Sequence, residues 1–388
     1  MELNWTEEEQ RFRAELRGFL ESVDLGKPPK DRSGRSQWGR RWMAALYDNG
    51  YAGPSYPKEY GGMELSFREQ LIYQEELARA RVPAPPGNGV PMAGPTIIKY
   101  GTPEQRERFI RPMLRADEIW AQGFSEPGAG SDLPSLRTTA RRDGDHYVVN
   151  GQKVWNTQAD LCDWAFVLVR TGEPGTRQDG ISYLLIDLSS PGVDIRRLRD
   201  ITGGTAFCEM FFDDVRVPVA NRVGEENEGW RIARTTLGHE RSSGALKQAA
   251  FYRRKVDEIL DLARSIGASK DPVVRQRLAD ADMRVRVMQI SAMRMIQSII
   301  ENGEPGPISS VSRLSNSLFE QQLHELALDL LGREGLYDSR EALEGGRWVY
   351  GYLRTRGSTI GAGTAEIQRN TIAEQVLQLP YDPAMPAR

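Results

Sequence analysis

Between Gln122 and Asn156 the chain carries its densest set of residues able to hold an anion and a flat ring. Phe124-Ser125-Glu126-Pro127-Gly128-Ala129-Gly130-Ser131-Asp132 is a small-residue turn. Glycine lacks a Cβ, so backbone N–H groups there can come close to a ligand. Consecutive N–H groups in such a turn form an anion-binding concavity, to which the hydroxyls of Ser125 and Ser131 add donors. A turn of this composition is more often a plain loop. The sequel raises its standing: Tyr147-Val148-Val149, then Asn150-Gly151, then Gln152-Lys153-Val154-Trp155 predicts a hairpin at Asn-Gly. That hairpin would deliver Trp155 and Thr157 beside the turn as a ring and a hydroxyl. Phosphate donors next to an aromatic wall suit a dinucleotide with a planar ring system.

Other chemistries find little support. Three histidines and two cysteines, Cys162 and Cys208, give no cluster with metal-ligand spacing. Both cysteines lie among strand-like apolar residues and read as small buried hydrophobes without a disulfide. No strand–GxGxxG–helix unit exists, so a Rossmann dinucleotide site is excluded. A net charge of −3 gives no general field for nucleic acid or an anionic membrane. No run approaches the roughly 20 apolar residues that span a bilayer. The acidic, helical start MELNWTEEEQ resembles neither a secretory signal nor an Arg-rich transit peptide, which predicts a cytoplasmic protein.

With 388 residues, of which 39% are hydrophobic and 27% charged, the chain can form two or three globular domains. Residues 1–118 read as an N-terminal helical domain. Thr6 with Glu9, and Thr102-Pro103 with Gln105, are capping-box starts, and helical spacing covers 38–47 and 67–80. Residues 119–228 change period. β-rich runs at 163–170, 181–188, 193–198 and 206–217 come without intervening helices, so a central antiparallel, barrel-like domain is expected. Residues 229–388 return to helix over 229–266, 272–301, 309–331, 340–355 and 364–379, the pattern of an antiparallel C-terminal four-helix bundle. The stretch 284–300 is apolar on more than one side, which predicts packing against its own bundle and a neighbouring subunit. The fold class is α+β in three parts.

SEPGAGSD followed by NGQKVWNT resembles the acyl-CoA dehydrogenase family, and the likeness extends over essentially the whole chain to EIQRN at 366–370. The resemblance implies a dimer of dimers, as homo- or heterotetramer, in which Phe124, Ser125, Gly130, Ser131, Trp155 and Thr157 contact FAD. It also implies α,β-dehydrogenation of an acyl-CoA thioester in lipid β-oxidation, with electron-transfer flavoprotein as acceptor. A base takes a proton from Cα while a hydride leaves Cβ for the flavin, and donors bind the thioester carbonyl.

The chain departs from the family at one position. The glutamate that often precedes the terminal Gly-Thr is here Ala362, which cannot accept a proton. The family's second base position, on the first helix of the C-terminal domain before an arginine, matches Glu240 and Arg241. A Glu-Arg pair on a helix is ordinarily a solvated surface pair. The alanine at 362 favours Glu240 as the base, with Arg241 orienting it or the CoA arm. His239 is the weaker candidate, since adjacent helix positions point about 100° apart. The Ala362 backbone N–H can still bind the thioester oxygen, and Gly361-Ala362-Gly363 leave room for a bulky or branched acyl group. Further matches place Arg275 and Leu278 at a neighbouring subunit's FAD, and Asp329 and Gly332 at the adenine end. Thr364 and Glu366 match positions near the adenosine and diphosphate. Two alternatives remain open: a flavin oxidase or monooxygenase on this scaffold, and a non-catalytic subunit of a heteromeric dehydrogenase.

Overall fold

A computed structural model describes residues 5–173, 175–242, 245–302, 306, 308–337 and 343–380. The chain divides into two compact units, Met1–Glu240 and Arg241–Arg388.

The first unit opens with α1 (Glu7–Ser22), α2 (Arg32–Asp48), α3 (Phe67–Ala80), α4 (Gly94–Tyr100) and α5 (Pro103–Arg115). Thr6 and Glu9 form the expected reciprocal cap of α1, and Thr102 with Gln105 that of α5. The helix expected at 38–47 begins earlier, because the Asp31 carboxylate accepts from the Gly34 N–H and nucleates the start of α2. Leu16, Trp42, Leu46, Ile97 and Ile110 are fully or nearly fully buried and hold the helices together. Across α1 and α3 the buried Glu76 carboxylate accepts from Arg17 and Arg79 and pairs with Arg13.

The sheet follows as β1 (Trp120–Gly123), β2 (Thr139–Asp143), β3 (His146–Thr157), β4 (Trp164–Arg170), β5 (Ile181–Asp187), β6 (Val193–Leu198), β7 (Phe207–Pro218) and β8 (Arg222–Val223). Its order is β6-β7-β3-β2-β4-β5-β8, with β1 beside β4. The pairings β2–β3, β3–β7, β4–β5, β5–β8 and β6–β7 are antiparallel. Two depart from that expectation, since β1 runs parallel to β4 and β2 meets β4 in a one-residue parallel contact. The whole β2–β3 excursion separates β1 from β4, enough chain to return to the same end of the sheet. Alternate residues of β4 and β5 bury on opposite faces. Phe166, Leu168 and Tyr183 join the helical core, while Val167, Val169 and Leu184 form a second one.

The Asn150-Gly151 hairpin is not there. These residues lie inside the continuous strand β3, and the chain reverses earlier, where Gly144 (φ +62) joins β2 to β3. Gly151 marks a register shift against β7, and a Cβ on it would stand 2.6 Å from the Thr138 Cα. The glycine answers a close approach of neighbouring backbone, not a two-residue turn.

The expected helix over 229–266 falls into α6 (Gly229–Ser242) and α7 (Ala245–Ser265), with residues 243 and 244 outside the described ones. Most of α6 belongs to the first unit, where Ile232 and Ala233 are buried. The second unit holds α7, α8 (Pro272–Asn302), α9 (Ile308–Leu331), α10 (Arg347–Thr355) and α11 (Ala365–Thr371). Tyr252, Val256, Ile259, Val285, Phe319 and Trp348 form its core. Of the helix expected over 340–355, residues 340–342 lie outside the described ones, and α10 starts at 347 because Glu344, Gly345 and Gly346 take left-handed backbone that cannot continue a helix. On α8, Met283, Val287, Ile290 and Met293 are exposed, although the same helix buries Val285 and Met288. Among the described residues no helix is long and apolar enough to cross a membrane.

Candidate functional site

In the first unit the turn after β1 is folded by main-chain bonds and locked from below. The Glu126 and Ala129 backbones exchange hydrogen bonds at 3.0 and 3.1 Å, and the Ser125 carbonyl accepts from Val154 of β3 at 2.9 Å. Underneath, Lys153 is fully buried. Its Nζ donates to Glu126 Oε1 at 2.8 Å and to the Phe124 carbonyl at 3.1 Å. The Glu126 carboxylate also accepts the N–H groups of Arg137 and Thr138 at 2.6 and 2.9 Å. Burial acts to raise the Glu126 carboxyl, but the Lys153 charge and these donors hold it below its ordinary range. Burial pulls the Lys153 ammonium down to about 8 against the attraction of Glu126. Asn156 adds a third tie, donating to the Gln122 carbonyl at 2.7 Å.

Glu126, Lys153 and Asn156 escaped the motif-based reading, although the period of β3 contained a signal. Counting in twos from the buried Tyr147 and Val149 puts Lys153 on the inner face. A lysine there needs a partner.

What this lock presents outward is unusual for a protein surface. Gly128 and Gly130 have neither left-handed backbone nor any atom within 4 Å of a built Cβ, and both are exposed. The chain's own packing gives no reason for glycine at either position. Ser131 is exposed beside them. Trp155 is 61% exposed and stands on left-handed backbone (φ +64), at a second register shift of β3 between Lys153 and Asn156. The Phe207 ring meets it edge-on at 5.9 Å, and Thr157 is exposed two residues on. Strained backbone that holds an aromatic ring out of the core is a mark of a binding surface. The Phe124 ring is buried against Phe166 and Tyr183, which leaves its main chain to the turn.

Glu240 is the last residue of the first unit, and Arg241 the first of the second. Both fall within α6, but their side chains, like that of His239, lie outside the described residues. Earlier on α6, Ile232, Ala233 and Thr236 form a buried stripe. That stripe is anchored to α4 by the hydroxyls of Thr96 and Thr236, 2.8 Å apart, and by the Tyr100–Thr235 bond of 2.8 Å.

The second unit carries the other expected residues. Ala362 is exposed on left-handed backbone (φ +54), Gly363 follows at φ +89, and no acceptor meets the Ala362 N–H among the described residues. Thr364 caps α11, its Oγ1 accepting from the Ile367 N–H at 3.2 Å, while Glu366 pairs with Arg369. Arg275 is exposed in the first turn of α8 and makes no ion pair among the described residues. Leu278 is buried in the bundle core of its own chain. Asp329 pairs with Arg277 at 2.8 Å, and the exposed Gly332 (φ +57) ends α9. Both have structural reasons of their own.

A helical layer, a mostly antiparallel sheet with an exposed small-residue turn, and a helical bundle define an α+β fold in three parts without a Rossmann unit. Family models agree on which one. The N-terminal, middle and C-terminal domains of acyl-CoA dehydrogenase match residues 6–117, 121–215 and 227–377. The chain is 40% identical over 386 residues to acyl-CoA dehydrogenase IpdE1 of Mycobacterium tuberculosis, covering 96% of this chain and 98% of that one. Among solved structures, the ChsE4–ChsE5 complex of Mycobacterium tuberculosis superposes with a TM-score of 0.84 at 31% identity, over 98% of this chain and 100% of that one. The Tcur3481–Tcur3483 steroid ACAD does so with a TM-score of 0.84 at 29% identity and the same coverage. The chain belongs to the acyl-CoA dehydrogenase family of oxidoreductases.

Proposed function

We propose that the protein is an FAD-dependent acyl-CoA dehydrogenase that uses Glu240 as its base. The observation that carries the cofactor is Trp155, an exposed ring on strained backbone beside the open Gly128–Ser131 turn. Residues present in the chain fit a flavin dinucleotide: N–H groups and serine hydroxyls for phosphate and an indole face for the ring, while the exposed Arg275 suits the diphosphate of a neighbouring subunit's FAD. FAD, when bound, supplies the acceptor for the hydride that leaves Cβ. The protein's own part is proton chemistry and orientation. The Glu240 carboxylate takes the Cα proton, and the Ala362 N–H holds the thioester oxygen where negative charge builds up. Arg241 orients the base or the CoA arm, and Ser131 serves the pantetheine. The alanine at 362 leaves space for a bulky acyl group, and the steroid ACAD among the structural relatives makes a ring-bearing thioester a reasonable substrate class. Domain boundaries at 118 and 228, electron-transfer flavoprotein as acceptor, and a reducing cytoplasmic setting, with which two free cysteines agree, complete the reading.

For assembly we propose a tetramer built through the exposed apolar stripe of α8. A second reading is favoured by Ala362 and by the paired names of two structural relatives. In it the chain is one subunit of a heteromeric dehydrogenase.

Purification alone, with FAD counted per chain, separates the two readings. Near-zero FAD without a second gene product supports the heteromer. The decisive experiment is anaerobic flavin bleaching with a panel of linear, branched, alicyclic and steroid acyl-CoA thioesters. Bleaching by an acyl-CoA without air supports α,β-dehydrogenation, and slow reoxidation of the reduced flavin when air is admitted supports the dehydrogenase over an oxidase. Glu240→Gln should keep FAD and lower turnover by roughly 10²–10⁴, the range for a positioned base; full turnover in that variant would reject the assignment.

A further inference from the structure

Left-handed backbone is disfavoured for any residue with a Cβ, yet Ala362 adopts it at φ +54. Something must hold the turn, and the second unit shows what does. Arg313 on α9 donates through Nη2 to the Gly361 carbonyl at 2.6 Å and to the Ser358 carbonyl at 2.8 Å. Gln368 reaches the carbonyls of Ala362 and Gly363 from the other side at 3.4 and 3.5 Å. Both Arg313 bonds go to this one loop, and among the described residues it makes no ion pair, so it is not an ordinary surface cation.

The geometry of a single peptide group gives these bonds their meaning. A trans peptide is planar, with its C=O and N–H pointing in opposite directions. The Gly361 carbonyl and the Ala362 N–H belong to one such group. Drawing the carbonyl onto Arg313 therefore turns the N–H away from α9, where no acceptor meets it among the described residues. The reversed peptide would present a carbonyl oxygen on that side, which would repel a developing oxyanion. One amino nitrogen, Nη2, carries both bonds, and the rigid guanidinium plane fixes the direction of its two hydrogens.

We propose that Arg313 is a positioning residue for the reaction: it fixes the Gly361–Ala362 peptide with its N–H outward and so presents the donor to the substrate's thioester oxygen. This inference rests on the role given to the Ala362 N–H above. Its test uses three probes: the acyl-CoA that bleaches the wild-type flavin fastest, its trans-2-enoyl product, and the S-alkyl-CoA thioether of the same chain, which lacks the carbonyl oxygen. In the wild type the enoyl product should bind at least about 10-fold tighter than the thioether.

Arg313→Ala should reduce that ratio about 10-fold and slow flavin reduction about 10²-fold, the effect of losing one oxyanion donor. FAD per chain and thioether affinity should stay within about twofold. Arg313→Gln, whose shorter and uncharged amide weakens the hold on both carbonyls, should lose part of the ratio and serves as the criterion if Arg313→Ala does not fold. An unchanged ratio in a folded, FAD-loaded variant overturns the role of Arg313. A wild-type protein without any preference for the enoyl ester refutes the Ala362 donor itself, a separate failure.

Discussion

At the scale of single residues, the site is built where side chain and backbone go against ordinary folding preferences. Trp155 leaves a large apolar ring 61% exposed and holds its backbone at φ +64, a conformation that disfavours a residue with a Cβ by about 1–2 kcal/mol. Neither feature helps the chain fold, which supports the ligand contact proposed for this ring. Replacing the indole separates the two effects. In Trp155→Gly, relief of backbone strain and the added freedom of glycine in the unfolded chain nearly cancel, so the apoprotein melting temperature should stay within the equivalent of about 0.5 kcal/mol. FAD affinity should fall about 10- to 100-fold through lost ring stacking. Calorimetry of the apoprotein and a flavin titration measure each half, and unchanged FAD affinity would remove Trp155 from the site.

At the scale of elements, β3 does two jobs at two points along one strand. Near its middle Gly151 lets β3 pass the Thr138 backbone, and near its end Lys153 and Trp155 divide the inner and outer faces of the cradle. Two glycines of similar appearance in the sequence therefore answer to different forces. A Cβ at 151 would meet the Thr138 Cα and Oγ1 at 2.6 Å on backbone of φ +149, so Gly151→Ala should destabilise the protein by about 1–3 kcal/mol. A Cβ at 130 meets nothing. Gly130→Ala should leave the melting temperature within about 0.5 kcal/mol of wild type and lower FAD retention on a desalting column. Equal stability loss in both variants would show that the 128–131 turn is held by the fold and not shaped for a ligand.

Across the whole molecule, cohesion of the N-terminal helices depends on carboxylates clamped by arginines. Glu76, buried between α1 and α3, is lowered from 4.5 to about 2, first by its bond to Arg17 and then by Arg79, against the opposing effect of burial. Glu9, held chiefly by Arg68, is likewise lowered from 4.5 to about 2. A carboxylate with a depressed folded value stabilises fully above its unfolded value and loses that contribution as pH falls through the folded one. Thermal stability should therefore hold down to about pH 5 and fall steadily between about pH 4.5 and 2. Glu76→Gln should lower stability by about 2 kcal/mol at pH 7 and make this acid slope shallower. An acid profile identical to wild type would mean that other carboxylates govern acid unfolding. The exposed stripe of Met283, Val287 and Ile290 on α8 belongs to the same scale, since it lacks a reason within one chain.

Period, caps and composition settle much of this protein before any folding is considered. Thr6 and Thr102 start their helices as their types require, the runs at 164–170, 181–187 and 193–198 form strands, and SEPGAGSD with NGQKVWNT points to the family. These are local facts, decided by residues within a few positions of one another. Contacts between distant segments are not of that kind. Asn150-Gly151 has the local signature of a turn, yet pairing with β7 and the nearness of Thr138 keep it extended. Only the folded chain places Lys153 under Glu126, or sets Arg313, on a different element, against the carbonyl that turns the Ala362 N–H outward. Direction of a peptide group and partnership of a buried charge depend on what arrives from elsewhere in the chain, and sequence spacing does not encode it.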